Sequence, residues 1–274
     1  MIPISFEFFP PKTDEQRAQL GRTVAKLKAH SPEYVSCTFG AGGSTLSYTA
    51  ETVQDLLQTH GLDAAPHLSC VGGTREEIAE LLARYRDIGC RRIVALRGDL
   101  PSGMGQPGDL RYAADLVAFI RDQHGDHFHI EVGCYPETHP QADDALADLR
   151  HFKAKVDAGA DAAITQYFYN ADAYFHFVDA ARALGVDVPI VPGIMPISNF
   201  GQLRRFSEQC GAEIPRWVAK RMQALGDDVD GIREFGADVV AGLCRRLVAG
   251  GAPALHFYSL NIARPTQAIL ARLS

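Results

Sequence analysis

The amino-acid sequence predicts an α/β fold in which eight strand-and-helix units close into a (β/α)8 barrel, the TIM-barrel architecture. Short runs rich in β-branched and aromatic residues recur at about thirty-residue intervals, the length of one strand plus one crossover helix. Several runs are almost continuously apolar, as expected for parallel strands that are buried on both faces. The eight runs cover residues 4–9, 34–40, 64–70, 91–97, 129–135, 162–169, 189–195 and 254–260.

Amphipathic segments between these runs supply the predicted helices. Residues 74–77 (TREE) form a capping box, in which the threonine and glutamate side chains accept from amides that the first helical turn leaves unpaired. Asn170 and Gly185 bracket another helix with typical start and stop residues. Residues 198–251 are too long for one crossover helix, so we expect two or three helices there, with a turn near residues 226–228.

Nothing in the sequence divides the chain into separate units. No linker, low-complexity tract or block of charge interrupts it, so we expect residues 1–274 to form a single barrel domain. An open Rossmann sheet is the less favoured alternative. The glycine-rich stretch 40–44 lacks the G-x-G-x-x-G spacing, and the stretch 98–108 lacks the following lysine of a P-loop.

Composition indicates a soluble enzyme and excludes several other classes. Hydrophobic residues make up 46% and charged residues 22%, and the net charge of −6 argues against a nucleic-acid partner. No apolar run is long enough for a membrane span, and residues 1–4 lack signal-peptide features, so we expect a cytoplasmic protein. The six cysteines form no C-x-x-C pair; we expect free thiols and no metal site.

Polar residues collect where most of the eight predicted strands end. In a barrel of this kind the active site lies at the carboxyl ends of the strands. The convergence of polar groups therefore predicts a functional site at this end, whatever the chemistry. The residues include Glu7, Thr38, His67, Arg97, Asp99, Tyr135, His139, Gln166, Asn199 and Asn261.

Glu7 is the sharpest single candidate for chemistry. It lies inside the aromatic run 4–9, where a glutamate is seldom buried without a partner. Strand alternation directs Phe6 and Phe8 to the opposite face and places Phe9 on the same side as Glu7. Desolvation favours the protonated carboxyl group, which is the form that a general acid needs. An ion pair with a lysine or arginine of the barrel is the structural alternative.

The other candidates have structural interpretations of comparable weight. Asp99 follows Arg97 by two residues and could form a local ion pair with it. The amide of Gln166 suits the edge of a heterocycle, but for this residue alone a hydrogen bond to a loop backbone is the favoured interpretation. His67 is by default a core histidine, and Lys155 is more often part of a solvated helix face than a phosphate site.

Taken together, the motifs resemble those of methylenetetrahydrofolate reductases. The resemblance runs nearly end to end, and so many ordered blocks are highly specific. The chain resembles the catalytic barrel alone and is too short for the regulatory domain that eukaryotic members append. The matching blocks are residues 6–12 (FEFFPPK), 65–68 (APHL), 95–101 (ALRGDLP), 135–140 (YPETHP), 155–160 (KVDAGA), 164–166 (ITQ), 192–196 (PGIMP) and 256–258 (HFY).

The resemblance implies non-covalently bound FAD and a folate substrate. The resemblance places Glu7 at the position of the family's general acid. One departure is Ile262, which replaces an arginine that holds the folate tail in bacterial relatives; Arg264 is the candidate substitute. The implied FAD contacts are Thr38, Phe39, Ala41, His67, Arg97, Gly98, Asp99, Ala113, Tyr135, His139, Ala142, Asp148 and Lys155. The implied folate contacts are Asp99, Gln166, Gln202 and Phe206.

The reaction that the resemblance implies belongs to one-carbon metabolism and methionine biosynthesis. NADH or NADPH reduces the flavin and leaves, and methylenetetrahydrofolate then binds and is reduced to 5-methyltetrahydrofolate in a ping-pong cycle. Glu7 would protonate N10 to open the substrate ring. The negative charge of Asp99 would favour the cationic iminium and serve catalysis as well as binding. The flavin carries the electrons, and the protein supplies position and field.

Other interpretations remain open at the level of sequence. A flavin barrel resembling proline dehydrogenase would need a carboxylate-binding cluster in place of Asp99 and Gln166. A folate-binding barrel that serves as a methyl carrier would contain no flavin. A non-catalytic relative would not need an intact Glu7. The sequence leaves the choice between NADH and NADPH open, and also whether the protein is a homo-oligomer.

Overall fold

The computed structural model describes residues 2–39, 45–70, 73–98 and 108–273. Within these ranges nine strands and ten helices follow one another along the chain. The strands are β1 (Ile4–Phe8), β2 (Tyr34–Cys37), β3 (Ala64–Ser69), β4 (Arg92–Leu96), β5 (His129–Cys134), β6 (Ala162–Thr165), β7 (Ile190–Val191), β8 (Gly193–Ile194) and β9 (Leu255–Tyr258). The helices are α1 (Asp14–Lys28), α2 (Thr45–Gln58), α3 (Arg75–Asp87), α4 (Ala113–His124), α5 (Ala145–Asp157), α6 (Ala171–Ala183), α7 (Phe200–Cys210), α8 (Arg216–Leu225), α9 (Val229–Ala249) and α10 (Ala263–Leu270).

The strands form one parallel sheet that curls into the predicted barrel. Their order is β7-β6-β5-β4-β3-β2-β1-β9-β8, so consecutive strands from β1 to β7 are neighbours, and β9 and β8 continue the sheet on the other side of β1. β1 pairs in parallel with β2 on one side and with β9 on the other. β7 and β8 are the two halves of the single run predicted at 189–195. The (β/α)8 prediction is therefore confirmed, with its seventh strand divided.

Pro192 explains the division of the seventh strand. Proline has no N–H to donate to a sheet ladder, so the strand cannot continue through it unbroken. Before it, β7 pairs with β6; after it, β8 pairs with β9. The Pro192 carbonyl accepts the His256 N–H at 3.1 Å, and the Gly193 N–H donates to Thr165 Oγ1 at 2.9 Å. The hydrogen bond from Gly193 to the Thr165 side chain thus replaces part of the backbone hydrogen bonding between strands at Pro192.

The predicted helix ends are confirmed. The capping box that starts α3 is present, with Thr74 Oγ1 accepting from the Glu77 N–H at 3.2 Å. Asn170 caps α6, and Gly185 follows that helix with a φ of +78°. The long interval after β8 holds the three helices α7, α8 and α9, and residues 226–228 turn the chain between the last two.

Side chains pack on both sides of the barrel wall. Ile4, Phe6 and Phe8 of β1 face outward into the main apolar core, which lies between the strands and the helices. A smaller cluster of Tyr34, Ala65, Val94 and Ile164 fills the inside of the barrel. Ser5 and Glu7, which alternate with the outward residues, consequently face the interior. Among the described helices, none is both long and apolar enough to cross a membrane.

Two glycines of α9 provide a test of the packing between this helix and the barrel. A Cβ on Gly236 would lie 2.6 Å from the Ile197 carbonyl oxygen, whereas no described atom lies within 4 Å of a Cβ on Gly242. We expect Gly236→Ala to lower the free energy of unfolding by about 1–3 kcal/mol through overpacking. Gly242→Ala should raise it by up to about 1 kcal/mol, because alanine is the better helix former. Urea denaturation measures both; similar changes in the two variants would contradict the packing described for α9.

Candidate active site

A cavity of about 480 Å³ opens at the carboxyl ends of the strands, where the sequence predicted the site. This volume is within the usual range for small-molecule and cofactor sites. Most strands contribute to its wall, and α7 closes one side. The lining residues are Glu7, Phe9, Thr38, His67, Val94, Leu96, Gly133, Cys134, Tyr135, His139, Pro140, Gln141, Ile164, Gln166, Tyr167, Met195, Phe206, Gln209, Cys210, Tyr258 and Leu260.

Glu7 lies on the wall of this cavity between two histidines. Its side chain is 12% exposed, and its Oε2 lies 3.3 Å from His67 Nε2. His256 of β9 is completely buried, and its Nε2 lies 3.9 Å from the same oxygen. The partner of the Glu7 carboxyl group is therefore not a lysine or arginine, as the structural alternative expected, but a pair of imidazoles.

Burial determines the state of His67. Desolvation lowers the pKa of this imidazole, although the nearby Glu7 opposes the shift and His256 adds to it. His67 is thus neutral at neutral pH. A neutral ring nitrogen can accept from a protonated carboxyl group or, in the other tautomer, donate to a carboxylate. The same contact can therefore serve both protonation states of Glu7, which a reversible proton donor requires.

Tyr258 forms the wall next to Glu7, and the sequence analysis did not single it out. Its hydroxyl donates to the Thr165 carbonyl at 2.7 Å, at the end of β6. Gly193 makes this contact possible, because a Cβ there would lie 2.2 Å from the Thr165 oxygen and 2.6 Å from the Tyr258 hydroxyl. The block 192–196 and the block 256–258 are thus in direct contact at the site.

The end of β5 forms an aromatic and polar wall. The Tyr135 and His139 rings meet edge to face with centroids 4.5 Å apart. Asp148 Oδ2 accepts the His139 N–H at 2.8 Å, and Lys155 Nζ donates to the Gly133 carbonyl at 2.6 Å. Burial lowers the pKa of Lys155. This lysine supports the wall from behind and is not part of a solvated helix face.

The structure brings many of the predicted site residues together. Glu7, Thr38, His67, Tyr135, His139, Gln166 and Phe206 line the cavity, while Asp148 and Lys155 lie directly behind its wall. Arg97 donates to the side chain of Gln141, which also lines the cavity. Gln166 Oε1 accepts the Tyr167 N–H at 3.0 Å, the backbone bond that its structural interpretation expected.

Other predicted residues lie elsewhere. Ala41 and Asp99 fall outside the described residues. Arg264 is exposed on α10, and Gln202 is half-buried in the first turn of α7. Neither of these two belongs to the cavity lining described above. The predicted contacts that lie apart from the lining are Phe39, Gly98, Ala113, Ala142, Gln202 and Arg264.

Asn261 holds the end of β1 beside the cavity. Its Oδ1 accepts the Phe9 N–H at 2.8 Å, and its Nδ2 donates to the Phe9 carbonyl at 2.9 Å. Leu260 and Asn261 both have left-handed backbones, with φ of +51° and +57°. Asparagine tolerates this conformation better than most residues. The pair of bonds fixes the chain that leaves β1 directly after Glu7.

Comparison with known proteins identifies the family. The whole chain, residues 1–274, matches the family described as methylenetetrahydrofolate reductase. It is 41% identical over 268 residues to 5,10-methylenetetrahydrofolate reductase of Salmonella typhimurium, covering 98% of this chain and 89% of that protein. The chain belongs to the methylenetetrahydrofolate reductase family. A relative from Schizosaccharomyces pombe, methylenetetrahydrofolate reductase 1, is 38% identical over 277 residues, which cover 99% of this chain and 46% of that one.

Solved structures support the fold of this family member. A protein from Clostridium thermocellum described as binding two copies of 5-methyl-5,6,7,8-tetrahydrofolic acid superposes with a TM-score of 0.69 and 16% identity, covering 99% of this chain and 93% of that one. An oxaloacetate acetylhydrolase superposes with a TM-score of 0.57 and 10% identity, covering 98% and 79%. At these identities the likeness establishes the shared barrel fold.

The Asn261 contacts predict a graded loss of stability. Asn261→Ala and Asn261→Gly both remove the bonds to Phe9, which should cost roughly 1–3 kcal/mol of unfolding free energy. Alanine should cost about 1 kcal/mol more than glycine, because only glycine adopts a left-handed backbone without strain. Denaturant unfolding of both variants gives the difference. Equal stabilities would show that the backbone at residue 261 relaxes in the variants.

Proposed function

We propose that this family member reduces 5,10-methylenetetrahydrofolate to 5-methyltetrahydrofolate with FAD and NADH or NADPH, in a ping-pong cycle. The main structural support for this proposal is the position of the Glu7 carboxyl group, which lies on the cavity wall 3.3 Å from His67 Nε2. Family membership supports the substrate, and the folate named for the Clostridium thermocellum protein supports the substrate class. We further propose that residues 1–274 act as one catalytic domain, in the cytoplasm.

The residues present fit a flavin. The cavity has aromatic walls, and Thr38, His67 and Gln166 supply donors and acceptors of the kind that the edge of a heterocycle requires. His67 Nε2 is buried and has no hydrogen-bond partner among the described residues. Bound FAD would supply the redox chemistry, accepting hydride from the nicotinamide and delivering it to the one-carbon unit. The residues proposed to hold it are Thr38, Phe39, Ala41, His67, Arg97, Gly98, Asp99, Ala113, Tyr135, His139, Ala142, Asp148 and Lys155.

The protein groups perform the proton chemistry. Glu7, whose Oε2 lies 3.3 Å from His67 Nε2, would donate its proton to N10 of the substrate, so that the five-membered ring opens. Gln166 and Phe206 on the cavity wall would orient the pterin, by a hydrogen bond and by stacking. Asp99 would favour the cationic species through its charge. We propose further folate contacts from Gln202, and from Arg264 as the cation for the substrate tail beside Ile262.

We expect the purified protein to contain non-covalent FAD. Denaturation should release the flavin into the supernatant. Under anaerobic conditions NADH or NADPH should bleach the flavin, and methylenetetrahydrofolate added afterwards should restore its absorbance with formation of 5-methyltetrahydrofolate. Absorbance and product analysis test both half-reactions. A protein without flavin, or a reduced flavin that the folate leaves unchanged, would refute the proposed function.

Substitution of Glu7 should separate the two half-reactions. We expect Glu7→Gln to slow the folate half-reaction by about 10²–10⁴-fold, the usual contribution of a general acid, and to leave reduction by nicotinamide near normal. Stopped-flow absorbance of the flavin measures each half. Glu137→Gln is the matched control, because this half-buried carboxylate at the same barrel end accepts from the Glu213 N–H instead of lining the cavity. Equal losses in both halves for Glu7→Gln would instead indicate a structural role.

A further inference from the structure

A line of polar side chains runs through the inside of the barrel from Glu7 toward the end opposite the cavity. Glu7 Oε2 lies 3.9 Å from His256 Nε2, and the other nitrogen of that ring, Nδ1, lies 2.7 Å from Ser5 Oγ. Tyr34 is the register partner of Ser5 on β2, so its side chain comes next in the line. The Tyr34 hydroxyl in turn bonds Glu131 Oε2 at 2.5 Å. Every member after Glu7 is buried.

Strand register produces this line. Ser5 of β1 pairs with Tyr34 of β2 on one side and with His256 of β9 on the other. These three side chains therefore face the barrel interior at the same level of the sheet, two residues before Glu7 along β1. Glu131 reaches the Tyr34 hydroxyl from β5. The line is thus built from four strands that are distant in sequence.

The far end of the line reaches solvent. His129, at the start of β5, has a side chain that is 39% exposed, and its Nε2 lies 3.8 Å from Glu131 Oε1. Arg92 covers the rest of this end, with Nη1 3.7 Å from the same oxygen and its guanidinium group 4.7 Å from the centre of the Tyr34 ring. The line therefore connects water at the opposite end of the barrel with the carboxyl group at the cavity.

Glu131 is suited to hold a proton. Burial raises its pKa, although the hydrogen bond from Tyr34 and the charges of His256, His129 and Arg92 oppose the shift. A protonated Glu131 can donate to Tyr34, and the Ser5 hydroxyl can donate to His256 Nδ1, so each group in the line can pass a proton toward Glu7. Burying so many polar groups is costly for a barrel core, unless they are bonded to one another.

We propose that His256, Ser5, Tyr34 and Glu131 form a proton path that restores the proton of Glu7 while folate still fills the cavity. The inference rests on the proposed function, in which Glu7 gives one proton to N10 per turnover. Bound substrate would cover the small exposed part of Glu7, so the cavity mouth would be closed to water. The proton would then have to arrive from within the barrel or wait for product to leave.

The transfer balances as the net movement of one proton. His256 gives the proton on Nε2 to the Glu7 carboxylate and takes one at Nδ1 from Ser5. Ser5 takes a proton from Tyr34, Tyr34 takes one from Glu131, and Glu131 is reprotonated from water beside His129. The two end steps, at 3.9 Å and 3.8 Å, are longer than a hydrogen bond. Like the step between Tyr34 and Ser5, they must close by side-chain movement before a proton can pass.

The other titratable groups around Glu7 do not lead to this water. His67 lies on the cavity wall itself. The Tyr258 hydroxyl donates to the Thr165 carbonyl, and the Cys37 thiol is buried beside the Thr38 carbonyl. The path through His256 is therefore the route from Glu7 that the described residues carry to the opposite surface.

Proton uptake during a single turnover tests the path. Reduced enzyme is mixed with methylenetetrahydrofolate in weak buffer, and flavin absorbance and a pH indicator are followed together. In the unmodified protein, uptake should coincide with flavin oxidation and be unaffected by added 5-methyltetrahydrofolate. In Ser5→Ala and in Glu131→Gln, uptake should lag behind flavin oxidation, and added product should lengthen the lag. In Ser5→Thr, which keeps the hydroxyl, proton uptake should again coincide with flavin oxidation.

Ser36→Ala is the matched control. Ser36 pairs with Glu7 in register and is completely buried, but its hydroxyl has no hydrogen-bond partner among the described residues. This variant should behave like the unmodified protein. A lag in the unmodified protein, or coincident uptake in Ser5→Ala and Glu131→Gln, would overturn the path. Failure of folate to oxidise the flavin in the unmodified protein would instead refute the proposed function, and the path with it.

A second measurement is independent of turnover. Infrared titration of the protein as purified should show a protonated carboxyl band that persists above the pH at which exposed glutamates ionise, and Glu131→Gln should remove it. Absence of this band from the unmodified protein would overturn the role of Glu131 as the proton source. Thermal unfolding of each variant confirms that it is folded before either measurement.

Discussion

Closure of the parallel sheet is the constraint on which the rest of the structure depends. β1 is bonded to β2 and to β9, so the first and last strands of the fold lie side by side. This single arrangement places Glu7 against His256, joins Phe9 to Asn261 and brings Tyr258 beside Thr165. None of these contacts is local in sequence. Formation of the site is therefore inseparable from completion of the barrel, and its geometry is as rigid as the strand pairing.

The barrel interior is unusually polar for a packed core. Apolar residues such as Ala65, Val94 and Ile164 fill only part of it, and the rest is taken by hydroxyl, imidazole and carboxyl groups. Such groups are tolerated inside a protein when they bond one another, since each unpaired group would cost free energy. The interior of this barrel thus combines two tasks: it supports the strands, and it controls the protonation of the group at the cavity.

The sequence predicted the architecture well, for identifiable physical reasons. Nearly continuous apolar runs are diagnostic of buried parallel strands, and capping residues such as Thr74 and Asn170 act locally, so neither depends on distant contacts. Glu7 could be found because a charged residue in an aromatic strand is conspicuous. Pro192 was visible in the sequence, but its effect on the seventh strand depends on which neighbours the two halves find, and spacing alone does not give this.

The parts of the site that escaped prediction have a common cause. His256 and Ser5 lie in a strand pattern where histidine and serine are ordinary, and their importance comes from the register that places them together. Tyr258 resembles any core aromatic until the Gly193 backbone is seen against it. For Arg264 and Gln202, family resemblance suggested a role that the cavity lining does not include. Motif matching identifies residue types, whereas contacts across the barrel need three-dimensional information.

The divided seventh strand also has a consequence for how the molecule opens. β7 and β8 contain two residues each, and each pairs with a neighbouring strand along one edge only. The divided seventh strand is therefore held by fewer backbone hydrogen bonds than the strands beside it. Partial unfolding has its lowest free-energy cost where cooperative bonding is thinnest. We therefore expect local unfolding of the barrel to begin at residues 190–194. Gly193 contacts Tyr258, which lines the cavity. The part of the barrel that opens most easily is therefore also a part that shapes the active site.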